Sequence, residues 1–508
     1  MIDTASGVER VSVLIAGAGP TGLLLAGELA RRGVPCKLVD AQPEPRQWDR
    51  ATVIHPRSLE VFESLGLIDR FLDAGTKQRA VKVYSEGQLL GALDLSECGS
   101  PYGFNLGLSE EVTESILTDY LHARGGTVHR SSRLVGANPD SDGVLAEIEQ
   151  DGNRYRVHAE WLVGCDGAHS LTRALCGVVL NGHDIAEPWA VFDATIQGWT
   201  DDFEQNVGYL DSVPVILTAL PEKRWRVYLR PSSAESDLIN DAASTIRKYL
   251  PAASFTDVAN PTRFHCSSKV ANRFRSGRVL LAGDAAHLCS PAQGHGMNTG
   301  IQDAFNLAWK LALVCNGVAD FPLLDSYEVE RRPVAEMVAQ SGDIVEQGEM
   351  LTDAAERRSR DAAIRATFAQ PRTRHNEIVA ETELNVEYSA SPIVFGSAGS
   401  ALAADQRIPN TIPARSAGHT LALFGDATTE DDEFARLLDS LRKVVDGSRV
   451  FEAVVSLGTN NLLDNRGGTT LVVVRPDGYV GMQCERDHLT ALERYHGLVT
   501  ARSSAIAK

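Results

Sequence analysis

The chain has 508 residues, 43% of them hydrophobic and 23% charged, which excludes a disordered or fibrous protein and predicts roughly three domains at about 150 residues each. A net charge of −18 argues against a nucleic-acid or anionic-membrane partner. Eight cysteines without a C-x-x-C pair exclude a disulfide framework and a zinc ribbon, and point to a reducing, cytoplasmic compartment with no metal site.

The opening stretch MIDTASGVERVSVLIAGAG is not shaped like a signal peptide, because its apolar run is short and ends in a glycine turn. Residues 11–15 predict a strand, 21–32 a helix and 36–39 a second strand, the β–α–β unit of a parallel sheet. Between the first strand and the helix lies Gly17-Ala18-Gly19-Pro20-Thr21-Gly22. Gly17 permits the tight turn, Gly19 lets a pyrophosphate approach the backbone, and Gly22 lets the helix pack on the strand. Pro20 and Thr21 open a helix whose free N–H groups suit phosphate. Asp40 ends the second strand, 18 residues after Gly22, where a carboxylate grips the unphosphorylated ribose of FAD or NAD.

Residues 59–74 predict an amphipathic helix, 80–94 alternating strands and 111–124 another helix. Asp166-Gly167-Ala168-His169-Ser170-Leu171-Thr172-Arg173 follows the strand-like WLVGC. The region 180–264 is rich in Val, Ile, Trp, Tyr and Phe and predicts an antiparallel sheet that floors a pocket. A buried strand at 278–282 runs into Gly283-Asp284 and then Pro291-Ala292-Gln293-Gly294-His295-Gly296-Met297-Asn298, which opens a helix over 299–315. An acid at the strand end suits ribityl hydroxyls, and loop N–H groups at a helix start stabilise negative charge on a reduced flavin. A charged helical region follows at 327–367, expected to break at Pro333. The stretch from Ser389, rich in Ser, Ala, Gly and Pro, predicts a domain boundary. Strands and helices then recur to the end of the chain.

These three boxes, in this order, resemble those of the flavin-dependent aromatic hydroxylases related to para-hydroxybenzoate and phenol hydroxylases. The likeness covers about residues 10–340, including YEVERRPV at 327–334. The tail is similar to the thioredoxin-like domain of longer members through RIPN from Arg407 and VRPDGYVG at 474–481, without a redox C-x-x-C. The resemblance implies an α/β fold: a Rossmann-like FAD-binding domain (1–74, 105–180 and 271–390), an antiparallel-sheet substrate domain (75–104 and 181–270) and a thioredoxin-like domain (391–508).

Carried over by residue, the resemblance assigns the FAD pyrophosphate to Gly17, Gly19, Pro20, Thr21 and Gly22, and the adenosine ribose to Asp40. Arg50 falls near the flavin phosphates and assists catalysis. Glu110 stands where the family has a flavin-contacting glutamine. Asp166 is linked to both FAD and the nicotinamide cofactor. Gly283 and Asp284 hold the ribityl chain. Pro291, Gly294, Gly296, Met297 and Asn298 contact the isoalloxazine ring. Thr52 occupies the place of the phenol hydroxylases' catalytic aspartate, which leaves His55, Tyr209, Tyr228 and His295 as candidates to polarise a phenol.

The implied activity is hydroxylation of a phenolic or polyketide-like aromatic compound with NADH or NADPH and O2, through a flavin C4a-hydroperoxide, by a monomer or homodimer. Three alternatives stay open at this point. The same fold supports Baeyer–Villiger or N-oxygenating chemistry. A halogenase lacks its G-W-x-W-x-I-P segment here, and a non-catalytic protein-binding member of the superfamily would not need the complete flavin loop.

Overall fold

The computed structural model describes residues 2–3, 8–48, 50–396, 406–408, 417–425, 431–457 and 469–500. The first layer is built on β1 (Val8–Ala16), α1 (Pro20–Arg31) and β2 (Cys36–Val39). β1 pairs in parallel with β2 on one side and with β3 (Asn153–Gly164) on the other, and β3 also pairs in parallel with β4 (Val279–Leu281). The strand ends at Ala16, Val39, Gly164 and Leu281 therefore lie along one edge, so the three glycine-bearing boxes meet at one rim of the sheet. Ligands of open parallel sheets bind at such carboxyl ends.

Helix α2 (His295–Cys315) packs against α1, burying Ile301, Ala304, Leu307 and Ala308 with Leu23, Leu24 and Leu25. It begins four residues earlier than expected, because Gly294 takes φ +71 and turns the loop directly into the helix. Helix α3 (Asp325–Glu349) continues through Pro333 instead of breaking there. Pro333 and Val329, whose carbonyl loses its partner, both face solvent, where water satisfies the freed group. The helix expected over 59–74 is two helices, Pro56–Ser64 and Ile68–Ala74, separated at Gly66 with φ +72.

Among the described residues a seven-stranded sheet joins Ala80–Ser85 and Gln88–Asp94 to strands between Trp189 and Phe264. It is antiparallel as expected except where Gln205–Tyr209 runs parallel to Ala80–Ser85. Strand alternation sorts its faces. Trp225, Val227 and Leu229 face one way, packing with Phe192, Val207, Tyr209 and the helix Leu238–Ile246. Arg226 and Tyr228 face the other way, towards the layer built on β1 and α1.

The C-terminal unit orders its described strands Phe395–Gly396, Val480–Cys484, Thr470–Val474, His419–Phe424 and Phe451–Leu457, with helices Asp431–Asp446 and His488–Thr500. This is the β–α–β then β–β–α arrangement of a thioredoxin-like fold. One face of this sheet, with Leu421, Leu423, Val473 and Met482, is continuous with the core that holds α2. Most of the expected boundary from Ser389, including Pro409 and Asn410 of RIPN, lies outside the described residues. No helix among the described residues is long and apolar enough to cross a membrane.

Candidate active site

The turn at 17–22 has the shape that its glycines predict. Gly17 has φ +100, and a Cβ there would lie 2.2 Å from the Cys165 carbonyl oxygen. A Cβ on Gly22 would lie 2.0 Å from the Gly17 carbonyl oxygen. Gly19 differs: a Cβ there meets only Glu114 Oε1, at 3.8 Å, so its backbone borders open space. α1 carries Pro20 in its first turn and has no side-chain cap, leaving the N–H groups of Thr21 and its neighbours directed at that space. Asp40 closes the turn by accepting from the Ala18 N–H at 2.6 Å, and Arg130 lies 3.5 Å from its carboxylate. These features fit an FAD pyrophosphate and ribose.

Asp166 is spent on its own box. Its carboxylate accepts from the Ser170 hydroxyl at 2.5 Å and from the Thr172 N–H and hydroxyl at 2.9 and 3.0 Å. Arg173 then donates to the Ala285 carbonyl at 3.0 Å, tying this box to Gly283-Asp284. Gly283 has φ +61 and packs against Thr21, while Asp284 is exposed beside it. Under this junction lies a buried group that sequence reasoning missed. Asp303 accepts from the Gly283 N–H at 3.1 Å, from His287 at 2.6 Å and from Arg331 at 2.7 Å. Burial alone would raise Asp303, but His287 and Arg331 hold it below the ordinary carboxylate range. Arg331 comes from YEVERRPV, so that motif acts as scaffolding for the loop.

The loop 289–298 lies against the segment 50–55. Asn298 is fully buried. Its amide donates to the carbonyls of Val53 at 2.8 Å and Gly294 at 2.9 Å, and its oxygen accepts from the His55 N–H at 2.9 Å. A Cβ on Gly294 would lie 3.1 Å from Val53 Cβ. Pro291 begins a short 3-10 turn, Gly296 lies beside Cys289, and Met297 is half-buried against the core. α2 has no side-chain cap, so its first N–H groups and dipole stay available at the loop. The Glu110 N–H donates to the Ala51 carbonyl at 3.1 Å, anchoring the helix Glu110–His122 to the same segment.

The candidate polar groups separate. Tyr228 reaches this segment: its hydroxyl donates to the Arg50 carbonyl and lies 3.2 Å from Thr52 Oγ1. Arg226, unnoticed in the sequence, also donates to the Arg50 carbonyl at 3.1 Å and forks onto Asp193 at 2.6 and 2.9 Å. Trp48 donates to Asp193 at 3.2 Å, and Arg50 stacks over Phe264 at 4.8 Å. Trp48, Ile216, Phe264, Cys266 and Ala292, all half-buried, surround Tyr228 and form an apolar wall between the sheet and the loop. Burial raises the Tyr228 phenol above its ordinary value, although Arg226 and Thr52 oppose this, so the hydroxyl stays protonated. Tyr209 lies on the opposite face of the sheet, stacked among Tyr84 and Tyr249.

His55 and His295 do not line this wall. They lie with Glu383 in a buried cluster, ring centroids 4.8 Å apart. The two histidines and Glu383 hold the one metal-like spacing among the described residues, with ligand atoms within 4.8 Å of one another. Their atoms are already engaged: His295 Nδ1 with Glu383 at 2.9 Å, and His55 with Asn105 at 3.1 Å and the Gln293 carbonyl at 3.2 Å. His295 and Glu383 are placed to share a proton, whereas the His55 bonds run to Asn105 and Gln293 instead.

Residues 10–341 match the family model described as FAD binding domain. Pentachlorophenol 4-monooxygenase of Sphingobium chlorophenolicum is 34% identical over 67% of this chain and 66% of its own length. The 6-methylpretetramide 4-monooxygenase of Streptomyces rimosus is 32% identical over 76% of this chain and 71% of its own length. Each match thus spans about two thirds of the relative. The solved anhydrotetracycline hydroxylase OxyS of Streptomyces rimosus superposes with a TM-score of 0.77 at 28% identity, covering 96% of this chain and 99% of that one.

Proposed function

Since this chain belongs to the FAD binding domain family, we propose that it is an FAD-dependent monooxygenase that uses NADH or NADPH and O2 to hydroxylate a phenolic or polyketide-like aromatic compound. The relatives named for pentachlorophenol, a pretetramide and anhydrotetracycline all carry aromatic rings in their names' compounds, which supports that substrate class. The observation that carries the reading is Tyr228 set in an aromatic and aliphatic wall directly beside the loop 289–298 and the uncapped start of α2.

In this reading Gly17, Gly19, Pro20, Thr21, Gly22 and Asp40 bind the adenosine diphosphate half of FAD. Gly283 and Asp284 hold the ribityl chain, and Pro291, Gly294, Gly296, Met297 and Asn298 frame the ring. Asn298 does so by fixing the loop, since its side chain is bonded within the protein. FAD held by these residues would supply the redox chemistry, with NAD(P)H as the reductant and O2 as the oxidant. The protein orients the ring of the substrate and excludes water. Tyr228, held neutral, gives its one proton to the Arg50 carbonyl, which leaves the phenol oxygen, beside Thr52, to accept from a hydroxyl of the substrate. A neutral acceptor of this kind orients a phenol through its O–H rather than abstracting its proton.

The test is to purify the protein, identify the bound flavin, and screen phenols and hydroxylated polyketides for stimulated NAD(P)H oxidation. A product one oxygen atom heavier, labelled from O2 and not from water, supports the reading. Uniform NAD(P)H consumption with every compound, yielding only hydrogen peroxide, overturns it. Oxygen inserted next to a carbonyl or placed on nitrogen would move the chain to the Baeyer–Villiger or N-oxygenating class.

A further inference from the structure

The buried cluster behind Gly294 contains a chain of hydrogen bonds that the proposed reaction does not use. It runs from Glu381, the last residue of the helix Pro371–Glu381, to Asn105, then to His55, then to the backbone of the loop. Glu381 Oε1 and the Asn105 amide are 3.1 Å apart, Asn105 and His55 Nδ1 are 3.1 Å apart, and His55 Nε2 lies 3.2 Å from the Gln293 carbonyl. Asn105 and His55 are fully buried, so water does not substitute for a missing partner.

The donor inventory allows this chain two directions. The Gln293 carbonyl only accepts, so it is held when His55 carries its proton on Nε2. A neutral imidazole has one N–H, and His55 Nδ1 is then an acceptor. Asn105 must offer its NH2 group to it, which turns the amide oxygen towards Glu381 and requires a carboxylic acid there. With Glu381 ionised the amide turns over: its NH2 group donates to the carboxylate, its oxygen accepts from His55 Nδ1–H, and a bare Nε2 faces the Gln293 carbonyl. The two arrangements interchange the amide nitrogen and oxygen with almost no displacement of other atoms. A second proton on His55 would satisfy both acceptors, but burial and the neighbouring His295 pull its pKa down to about 4.

We propose that Glu381 and Asn105 are positioning residues for the flavin loop, and that a single proton on Glu381 decides whether His55 holds the Gln293 carbonyl. The proposal rests on reading 289–298 as that loop. Every group facing the chain bears on it. Burial raises Glu381 first and most, Glu383 and Glu377 raise it further, and His295 and the Asn105 bond draw it back, leaving it at about 7. His295 is itself raised by its hydrogen bond to Glu383 against the opposing effect of burial, and the other Glu383 oxygen accepts from Gln302. The hold is therefore present when Glu381 is protonated and is lost as pH rises through about 7.

The test is nitrogen NMR of 15N-histidine protein without flavin, with the His55 signals identified by their loss in His55→Gln. Wild type should show the Nε2–H tautomer at pH 5.5 and the Nδ1–H tautomer at pH 8.5. Glu381→Gln should keep the Nε2–H form throughout, because the glutamine amide is able to donate to Asn105 at every pH and only that arrangement also satisfies the Gln293 carbonyl. FAD affinity, measured by fluorescence quenching, should fall several-fold between those pH values in wild type and stay level in the variant. One unchanging His55 tautomer in wild type overturns the proposal and needs no variant to fold. Equal pH dependence of FAD affinity in the two proteins also overturns it. Failure to bind FAD at any pH, with the tautomer switch intact, instead removes the flavin reading and leaves the proton chain standing.

Discussion

Arg475 of the C-terminal unit grips Glu330 of α3 through both carboxylate oxygens, at 2.8 and 2.7 Å, with neither side chain exposed. Around this pair, Lys310 donates to Glu330 at 2.6 Å, Ser391 donates to it at 2.6 Å, and Asp477 accepts from Arg475, Asn306 and Trp309. The C-terminal sheet is thus locked to α2 and α3 by a desolvated ion network as well as by apolar packing. A buried network is costly to break from one side, because the abandoned charge stays buried. Arg475→Met should therefore cost about 3–5 kcal/mol in urea denaturation. A loss below about 1 kcal/mol would show that the C-terminal unit is not locked this way. Cys484→Ser, in the same unit, should leave turnover unchanged, because Cys484 is a lone buried thiol.

The glycine turn separates folding from cofactor binding. Gly17→Ala places a methyl group against the Cys165 carbonyl at a left-handed φ, so this variant should lose soluble, folded protein. Gly19→Val meets no such obstacle and should cost about 1 kcal/mol at most as an N-cap change. Its side chain enters the space where the pyrophosphate would lie. The expected outcome is a folded protein without flavin, read from the absorbance ratio and from thermal unfolding. A yellow Gly19→Val protein would refute the placement of the cofactor.

How much of this could be read from the chain depended on sequence separation. The 17–22 turn, Asp40 and the loop 289–298 are local patterns, and their glycine and proline chemistry is visible in the letters alone. Arg226, Asp303 and Glu381 were missed because each acquires its role from partners remote in sequence: Arg226 bonds the Arg50 carbonyl, Asp303 accepts from Gly283, His287 and Arg331, and Glu381 bonds Asn105. No periodicity announces such contacts. Tyr209 and Tyr228 looked equivalent because the face each takes depends on how Gln205–Tyr209, Val215–Leu220 and Arg224–Leu229 pair in register. The helix through Pro333 was misread because propensity ignores which carbonyl the proline releases and whether water reaches it.

Glu349 predicts a pH dependence of stability. Burial pushes its carboxyl up to about 7 against the opposing effects of Arg230 and Arg360. A group whose folded pKa is raised contributes stability that is present below its unfolded value, here 4.5, and is lost as pH rises through about 7. Glu349→Gln removes the group that titrates. The variant should match wild type near pH 4.5 and exceed it by about 3 kcal/mol at pH 8, because holding the carboxyl at about 7 against 4.5 in the unfolded chain costs about 1.36 kcal/mol for each tenfold change in proton affinity. Urea denaturation at the two pH values measures this, and a stability difference that does not change with pH would refute it.

The two tyrosines of the substrate-side sheet give the sharpest test of the proposed site. Tyr228 and Tyr209 are both buried phenols on neighbouring parts of one sheet, but alternation puts them on opposite faces. Tyr228→Phe removes the hydroxyl that meets Thr52 and the Arg50 carbonyl beside the loop, while keeping the ring in the apolar wall. Loss of one orienting hydrogen bond of this kind, about 1 kcal/mol, reduces turnover by roughly 5-fold to 10-fold. More of the NAD(P)H consumed should then appear as hydrogen peroxide, because a substrate held less well intercepts less of the activated oxygen. Tyr209→Phe alters a ring stack on the far face and should leave both turnover and coupling close to wild type. The measurement is product formed per NAD(P)H oxidised for the three proteins with the best substrate of the screen. Equal losses in both variants would mean that the hydroxyls act through packing of the sheet. A loss confined to Tyr209→Phe would place the substrate on the face now assigned to the core and require the site to be moved there.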